Sequence, residues 1–158
     1  MDKLWAPWRI EYVSKKVHKG CVFCRAAKSQ SDYVVFKTKY SQVLLNIFPY
    51  NNGHLMVAPI RHTKELGSLK TNEVLDLFEN IKIAQALLKK VLKAEAFNIG
   101  INIGRIAGAG IVGHLHIHIV PRWSGDTNFM PTVFATKVIS QSLKELHGKL
   151  KDAYAKTN

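Results

Sequence analysis

His114, His116 and His118 alternate with Leu115, Ile117 and Ile119. In an extended strand, residues two apart share a face and lie roughly 6.5–7 Å apart. The pattern therefore predicts a strand beginning at His114, with imidazoles on one side and branched aliphatics anchored in a core on the other. A single buried histidine is commonly just a satisfied core residue; three on one strand face are costly to pack without a purpose. Two kinds of chemistry fit. Alternate histidines can converge on one zinc ion. Alternatively, one imidazole attacks a phosphorus atom while its neighbours orient it and handle protons. Imidazole is neutral near pH 7, so one nitrogen can be a nucleophile while the other donates a hydrogen bond that fixes the tautomer. Five of the ten glycines fall between Gly100 and Gly113, immediately before the histidines. Such a loop exposes backbone N–H groups able to cradle phosphate oxygens.

The only cysteines, Cys21 and Cys24, form a Cys-x-x-Cys pair. In a reducing compartment this spacing suits either a redox pair or half of a zinc site, and alone does not choose between them.

These residues need a scaffold. Tyr33–Phe36, Val43–Phe48 and His54–Ala58 read as strands, the last two joined by the turn signal Pro49-Tyr50-Asn51-Asn52-Gly53. A long helix is predicted from Asn72 to about Ala94, with Thr71 as N-cap. Val74, Leu77, Phe78, Ile81, Ala84, Leu88, Val91 and Leu92 form its core stripe. Phe97, Ile99, Ile101 and Ile103 alternate with Asn98, Gly100, Asn102 and Gly104, predicting a strand with a packed face and a small polar one. Residues 1–20 read as irregular. Ile139, Leu143, Leu146, Leu150 and Tyr154 mark a C-terminal helix over about 137–155. The whole chain, 1–158, is expected to form one α+β domain. No apolar run is long enough to span a bilayer and no signal peptide is evident, so a cytoplasmic location is the expectation. A net charge of +12 favours anionic partners, free nucleotides or nucleic acid, although the lysines are scattered as on a solubilising surface.

The sequence Gly113-His114-Leu115-His116-Ile117-His118-Ile119-Val120 resembles the signature of the histidine triad (HIT) family of nucleotide hydrolases and transferases. Asn46-x-x-Pro49-x-x-x-Gly53-His54-x-x-Val57-x-Pro59 is similar to that family's nucleotide-binding strand pair, and Gly104 to Gly113 to its phosphate-binding segment. Trp5-x-Pro7-Trp8-Arg9, the cysteine pair and Trp123-x-Gly125-Asp126-x-Asn128-Phe129 resemble a microbial subgroup that includes diadenosine polyphosphate phosphorylases.

The resemblance implies an antiparallel sheet of about five strands carrying the long helix, assembled as a homodimer. It implies cleavage of a dinucleoside polyphosphate through a covalent nucleotidyl intermediate on His116. His118 would sit beside the ribose or phosphate, His54 would support the cluster, and Asn46 would contact the ribose. Asn102 would hold the phosphate or the nucleophile's geometry, and Gly104, Gly108, Gly110 and Ile111 would line the phosphate. Zinc is implied on Cys21, Cys24, His62 and His114, a closed set that signifies a structural ion and removes His114 from acid–base work. The chain departs from the family in one place. Many members carry Gln-Ser or Gln-Thr where this one has Gly110-Ile111. That shifts phosphate binding onto backbone amides and leaves space for inorganic phosphate as acceptor. A nucleoside phosphoramidate hydrolase would use the same residues. A nucleic-acid-binding zinc module is disfavoured, because basic and aromatic residues show no ordered pattern.

Overall fold

The computed structural model describes residues 20–28, 33–126 and 139–157. The tryptophan motif at Trp5 and Trp8, the irregular segment expected before Gly20, Asn128, Phe129 and the expected helix start near 137 lie outside them.

In chain order the elements are α1 (Val22–Lys28), β1 (Val34–Lys37), β2 (Ser41–Leu45), β3 (Leu55–Pro59), a 3-10 turn (Leu66–Ser68), α2 (Thr71–Leu92), β4 (Ala96–Ile101), β5 (Ile117–Arg122) and α3 (Leu143–Ala155). The strands make one antiparallel sheet in the order β1-β2-β3-β5-β4. This is the α+β, five-stranded arrangement expected from the sequence.

Strand alternation gives the sheet two different faces. Val43, Leu45, Leu55, Val57, Ile117 and Ile119 turn to one side, where they pack against α2 and α3. Val34, Leu44, Met56 and Ala58 turn to the other, where Phe23 and Ala26 of α1 cover them. His118 shares this second face, since it pairs with Met56 on one side and Gly100 on the other.

Several expectations need correction. Residues 22–28 had no element assigned, yet they form α1. Seven residues are too few for an autonomous helix, and α1 is held by complete burial of Phe23 and Ala26. The N-cap of α2 is Lys70, with Thr71 the first helical residue. Capping comes from Glu73, whose carboxylate accepts the Lys70 N–H at 2.8 Å and the Arg61 guanidinium at 2.7 and 2.8 Å. Strand β5 starts at Ile117 rather than His114, because the Leu115 N–H leaves the ladder for the Thr63 carbonyl, 2.6 Å away. Helix α3 starts at Leu143, where the Ser142 hydroxyl accepts the Glu145 N–H.

The largest difference concerns the predicted packed face of β4. Ile99 and Ile103 are exposed, as are Val74 and Phe78 of the supposed core stripe on α2, while Leu77, Ile81, Ala84 and Leu88 are buried. Strand β4 ends the sheet; Phe97 and Ile101 pack against the core as expected, but no described element covers Ile99 and Ile103. Ile99 and Ile101 instead line an apolar groove of about 490 Å³ with Leu66, Val74 and Phe78.

Candidate functional site: a histidine relay beside a thiol–imidazole cluster

The tight turn between β2 and β3 delivers His54. Gly53 adopts φ +79°, and a Cβ there would run into Leu92, Leu88 and Pro121, so only glycine suits the position. Asn51, buried beneath the turn, donates from Nδ2 to the Pro121 carbonyl at 3.0 Å and to Asp126 at 2.9 Å. It thereby ties the turn to the end of β5.

Backbone groups decide which ring nitrogen carries each proton. A peptide N–H only donates and a carbonyl only accepts. The Tyr50 N–H donates to His54 Nδ1 at 3.1 Å, and Asn46 Nδ2 reaches the same nitrogen at 3.2 Å. Asn46 Oδ1 accepts the Phe48 N–H, which fixes its amide orientation. His54 therefore holds its proton on Nε2 and donates it to His118 Nδ1, 2.9 Å away. His118 in turn carries its proton on Nε2. His116 Nδ1 donates to the His114 carbonyl at 2.8 Å, leaving Nε2 as a bare lone pair. The His116 and His118 rings stand nearly perpendicular with centroids 4.9 Å apart. One histidine presents a lone pair and its neighbour presents an N–H.

Electrostatics favour that neutral state. Burial pushes His54 down to about 3, helped by repulsion from His118 and His116. Burial and His116 push His118 down to about 4. Both groups lie below their unfolded value, so between that value and the folded ones the unfolded chain binds more protons. Stability should be insensitive to pH above about 6.5 and fall on acidification toward pH 4, by about 1.4 kcal/mol per pH unit for each histidine. Urea unfolding midpoints measured across this window check it; a midpoint that rises on acidification contradicts it.

His114 faces the other way. Its Nε2–H donates to the Pro59 carbonyl at 2.9 Å, so the bare Nδ1 points at Cys21 Sγ, 3.2 Å, and Cys24 Sγ, 3.6 Å. His62 Nδ1 lies 3.1 Å from Cys24 Sγ. The donor atoms of Cys21, Cys24, His62 and His114 all fall within 4.8 Å of one another. A tetrahedral ion with bonds of about 2.0–2.3 Å sets neighbouring donors roughly 3.5 Å apart. The four groups thus form a cluster that can hold a metal ion. The carbonyl bond to His114 is the kind of outer contact that orients a metal-binding imidazole. Burial and the neighbouring Cys21 raise the Cys24 thiol, and a cation held between the two sulfurs would offset that and favour the thiolates.

The glycine-rich loop lies at the end of β4. Gly104 and Gly108 adopt positive φ, and the Gly108 and Ala109 amides are used in the loop's own turns, to the Arg105 and Gly104 carbonyls. The amides of residues 110–113 donate to no backbone carbonyl among the described residues. Ile111 packs on the apolar cluster around Phe23, so its side chain anchors the loop. Asn102 lies just beyond β4, beside Gly108.

Three participants had no role in the sequence reading. Asn51 has been described. Tyr50 sits over His54 and His118 with centroids 4.6 and 5.6 Å away and is itself 55% exposed, open to a ligand's ring. Phe23, fully buried, touches both His114 and His116, with centroids 5.1 and 5.0 Å away. An aromatic inside a Cys-x-x-Cys was its only signal.

Comparison with known proteins agrees with this geometry. The HIT domain profile matches residues 27–125. An AP-4-A phosphorylase of Mycobacterium tuberculosis is 35% identical over 99% of this chain and 86% of its own length. An asymmetrical bis(5'-nucleosyl)-tetraphosphatase of Schizosaccharomyces pombe is 34% identical over 79% of this chain and 65% of its own. The fold matches a zinc-bound histidine triad family protein of Mycobacterium smegmatis with a TM-score of 0.70 at 24% identity, covering 87% of this chain and 94% of that one. With the triad, the five-stranded sheet and the family profile in agreement, the chain belongs to the HIT domain family.

Proposed function

We propose that this protein cleaves dinucleoside polyphosphates of the diadenosine type by way of a nucleotidyl–His116 intermediate. The observation that carries the reading is the bare Nε2 of His116, left as a lone pair by the bond from Nδ1 to the His114 carbonyl. Nε2 attacks the phosphorus next to one nucleoside. An N–P bond forms, the bridging P–O bond breaks, and the remaining nucleoside polyphosphate leaves as its anion, with the departing oxygen accepting a hydrogen bond from the His118 Nε2–H. In the second step a phosphate or water oxygen attacks the same phosphorus, the N–P bond breaks to restore the neutral His116 imidazole, and the acceptor's proton passes to solvent. The amides of residues 110–113 and the Asn102 amide are assigned to the phosphate oxygens. The ribose contact is assigned to the Asn46 side, although both ends of that amide also brace the His54 turn. Relatives named for diadenosine and dinucleoside polyphosphates support the substrate class. Incubation with diadenosine tetraphosphate should yield a nucleoside diphosphate and a triphosphate when inorganic phosphate is present, and a monophosphate and a triphosphate when it is not. Intact substrate under both conditions would refute the assignment.

Zinc is the ion assigned to Cys21, Cys24, His62 and His114, where two thiolates and two imidazoles suit its tetrahedral preference. Bound there, it cross-links α1 to the histidine segment and leaves no coordination position for substrate. Two cysteines not joined in a disulfide fit a cytoplasmic protein, and no helix among the described residues is long and apolar enough to cross a membrane.

The homodimer belongs to the same reading. Among the described residues nothing pairs with the outer edge of β4, which lies next to exposed Ile99, Val74 and Phe78. A second copy related by a two-fold axis would cover both. Light scattering is expected to give twice the mass of the chain, and the mass of one chain would remove the dimer.

A further inference from the structure

Phe23 has no place in the chemistry above, yet it stands where three parts of the site meet. It lies on α1 between Cys21 and Cys24, is fully buried, and sets its ring against His114 and His116 at once. Both separations fall within the range of direct aromatic contact. The apolar cluster it heads also receives Ile111 of the glycine-rich loop and Cys21. Its own backbone is fastened, since the Phe23 carbonyl accepts the side-chain N–H of fully buried Gln42 at 2.8 Å. Besides the roughly perpendicular ring of His118, the imidazole of His116 is held among the described residues by one hydrogen bond, through Nδ1 to the His114 carbonyl. One such bond fixes the tautomer but leaves the ring free to swing about it. A second contact, on the ring's face, is needed to fix where Nε2 points.

We propose that Phe23 is a positioning residue for His116: its ring, carried on the segment between the two cysteines, presses on the imidazole and fixes the direction of the Nε2 lone pair. The inference rests on His116 being the nucleophile. It gives the cysteine cluster a second consequence besides stability, because the ligands that anchor α1 also hold Phe23 against the reacting histidine. Leucine at this position keeps a similar volume and the apolar contacts to Leu44, Met56 and Ile111 but removes the flat face. Misdirection of an attacking atom by a fraction of its reach is costly, whereas substrate contacts lie elsewhere.

The test is Phe23→Leu in the full-length, metal-loaded protein, with Phe23→Met as a second variant of similar volume in case leucine does not fold. Metal content and nucleoside monophosphate affinity are measured first, then kcat and KM, and the ring nitrogen NMR signals of His116. Expected are unchanged metal content, KM within about twofold and kcat lower by about tenfold or more. The His116 ring should keep its Nδ1–H tautomer, while its ring signals shift and broaden as the imidazole swings about that bond. Unchanged kcat with unchanged ring signals overturns the proposal, as does a fall in kcat that merely tracks lost metal. Failure of the nucleophile assignment would read differently: His116→Asn would then keep its turnover whatever Phe23→Leu does.

Discussion

Replacing His116 with asparagine is expected to lower turnover by several orders of magnitude while leaving fold, metal content and nucleotide binding in place. The fold should survive because the neighbours that anchor the segment, Leu115 and Ile117, are buried on the opposite side from the imidazole. Asparagine can still donate toward the His114 carbonyl, so the local hydrogen bond is retained in kind. Binding should persist because the loop amides, Tyr50 and the His54 turn are untouched. What disappears is the bare Nε2, and none of its neighbours His54, His114 and His118 can replace it. His118 has Nδ1 occupied by His54 and its proton on Nε2. His54 accepts two hydrogen bonds on Nδ1 and donates from Nε2. His114 turns its lone pair to the cysteines. Metal content across the three single variants separates this from a triad that jointly binds a catalytic ion. Only the change at His114 should cost metal. If His116→Asn and His118→Asn also lose it, the imidazoles are metal ligands instead.

The second large effect is expected at the cysteines. Changing both Cys21 and Cys24 to serine should abolish binding of about one zinc per chain and lower the melting temperature markedly. Helix α1 is too short to persist unaided, and the metal would tie it to His62 and His114, distant in sequence. Losing even about 3 kcal/mol of such cross-linking lowers Tm by roughly 6–12 °C in a chain of this size. Metal analysis with thermal unfolding of both proteins checks this. Equal melting temperatures, or a wild-type protein that binds no zinc, would leave the cysteines as plain thiols.

Much of the scaffold was legible because periodicity reports it directly. The turn before His54 and most of the stripe on α2 found their elements, and the alternation around His114–His118 found its strand from Ile117 onward. What periodicity does not report is which partner covers a face. Ile99, Val74 and Phe78 have the spacing of core residues, yet no described part of the chain lies over them, so their side of the stripe forms an open groove. Helix α1 was hidden for a different reason. Seven residues carry too little pattern, and its stability comes from a tertiary contact, burial of Phe23 against the histidines. The four-residue set that can hold a metal ion was legible only through family resemblance, since His62 gives no local sign of its proximity to Cys24. The tautomers were beyond reach altogether. They depend on carbonyls and amides of Pro59, His114 and Tyr50, whose positions no side-chain pattern encodes.

Covalent catalysis by His116 has a direct stereochemical signature. An in-line displacement inverts phosphorus, so attack by His116 followed by attack of the acceptor inverts it twice. A dinucleoside polyphosphate made chiral at the attacked phosphorus by sulfur substitution should therefore give a nucleotide product with net retention of configuration. This outcome is read from the product alone and does not require the intermediate to accumulate. Retention is the expected result. Net inversion would mean that water or phosphate attacks the substrate directly, and His116 would then not be the nucleophile.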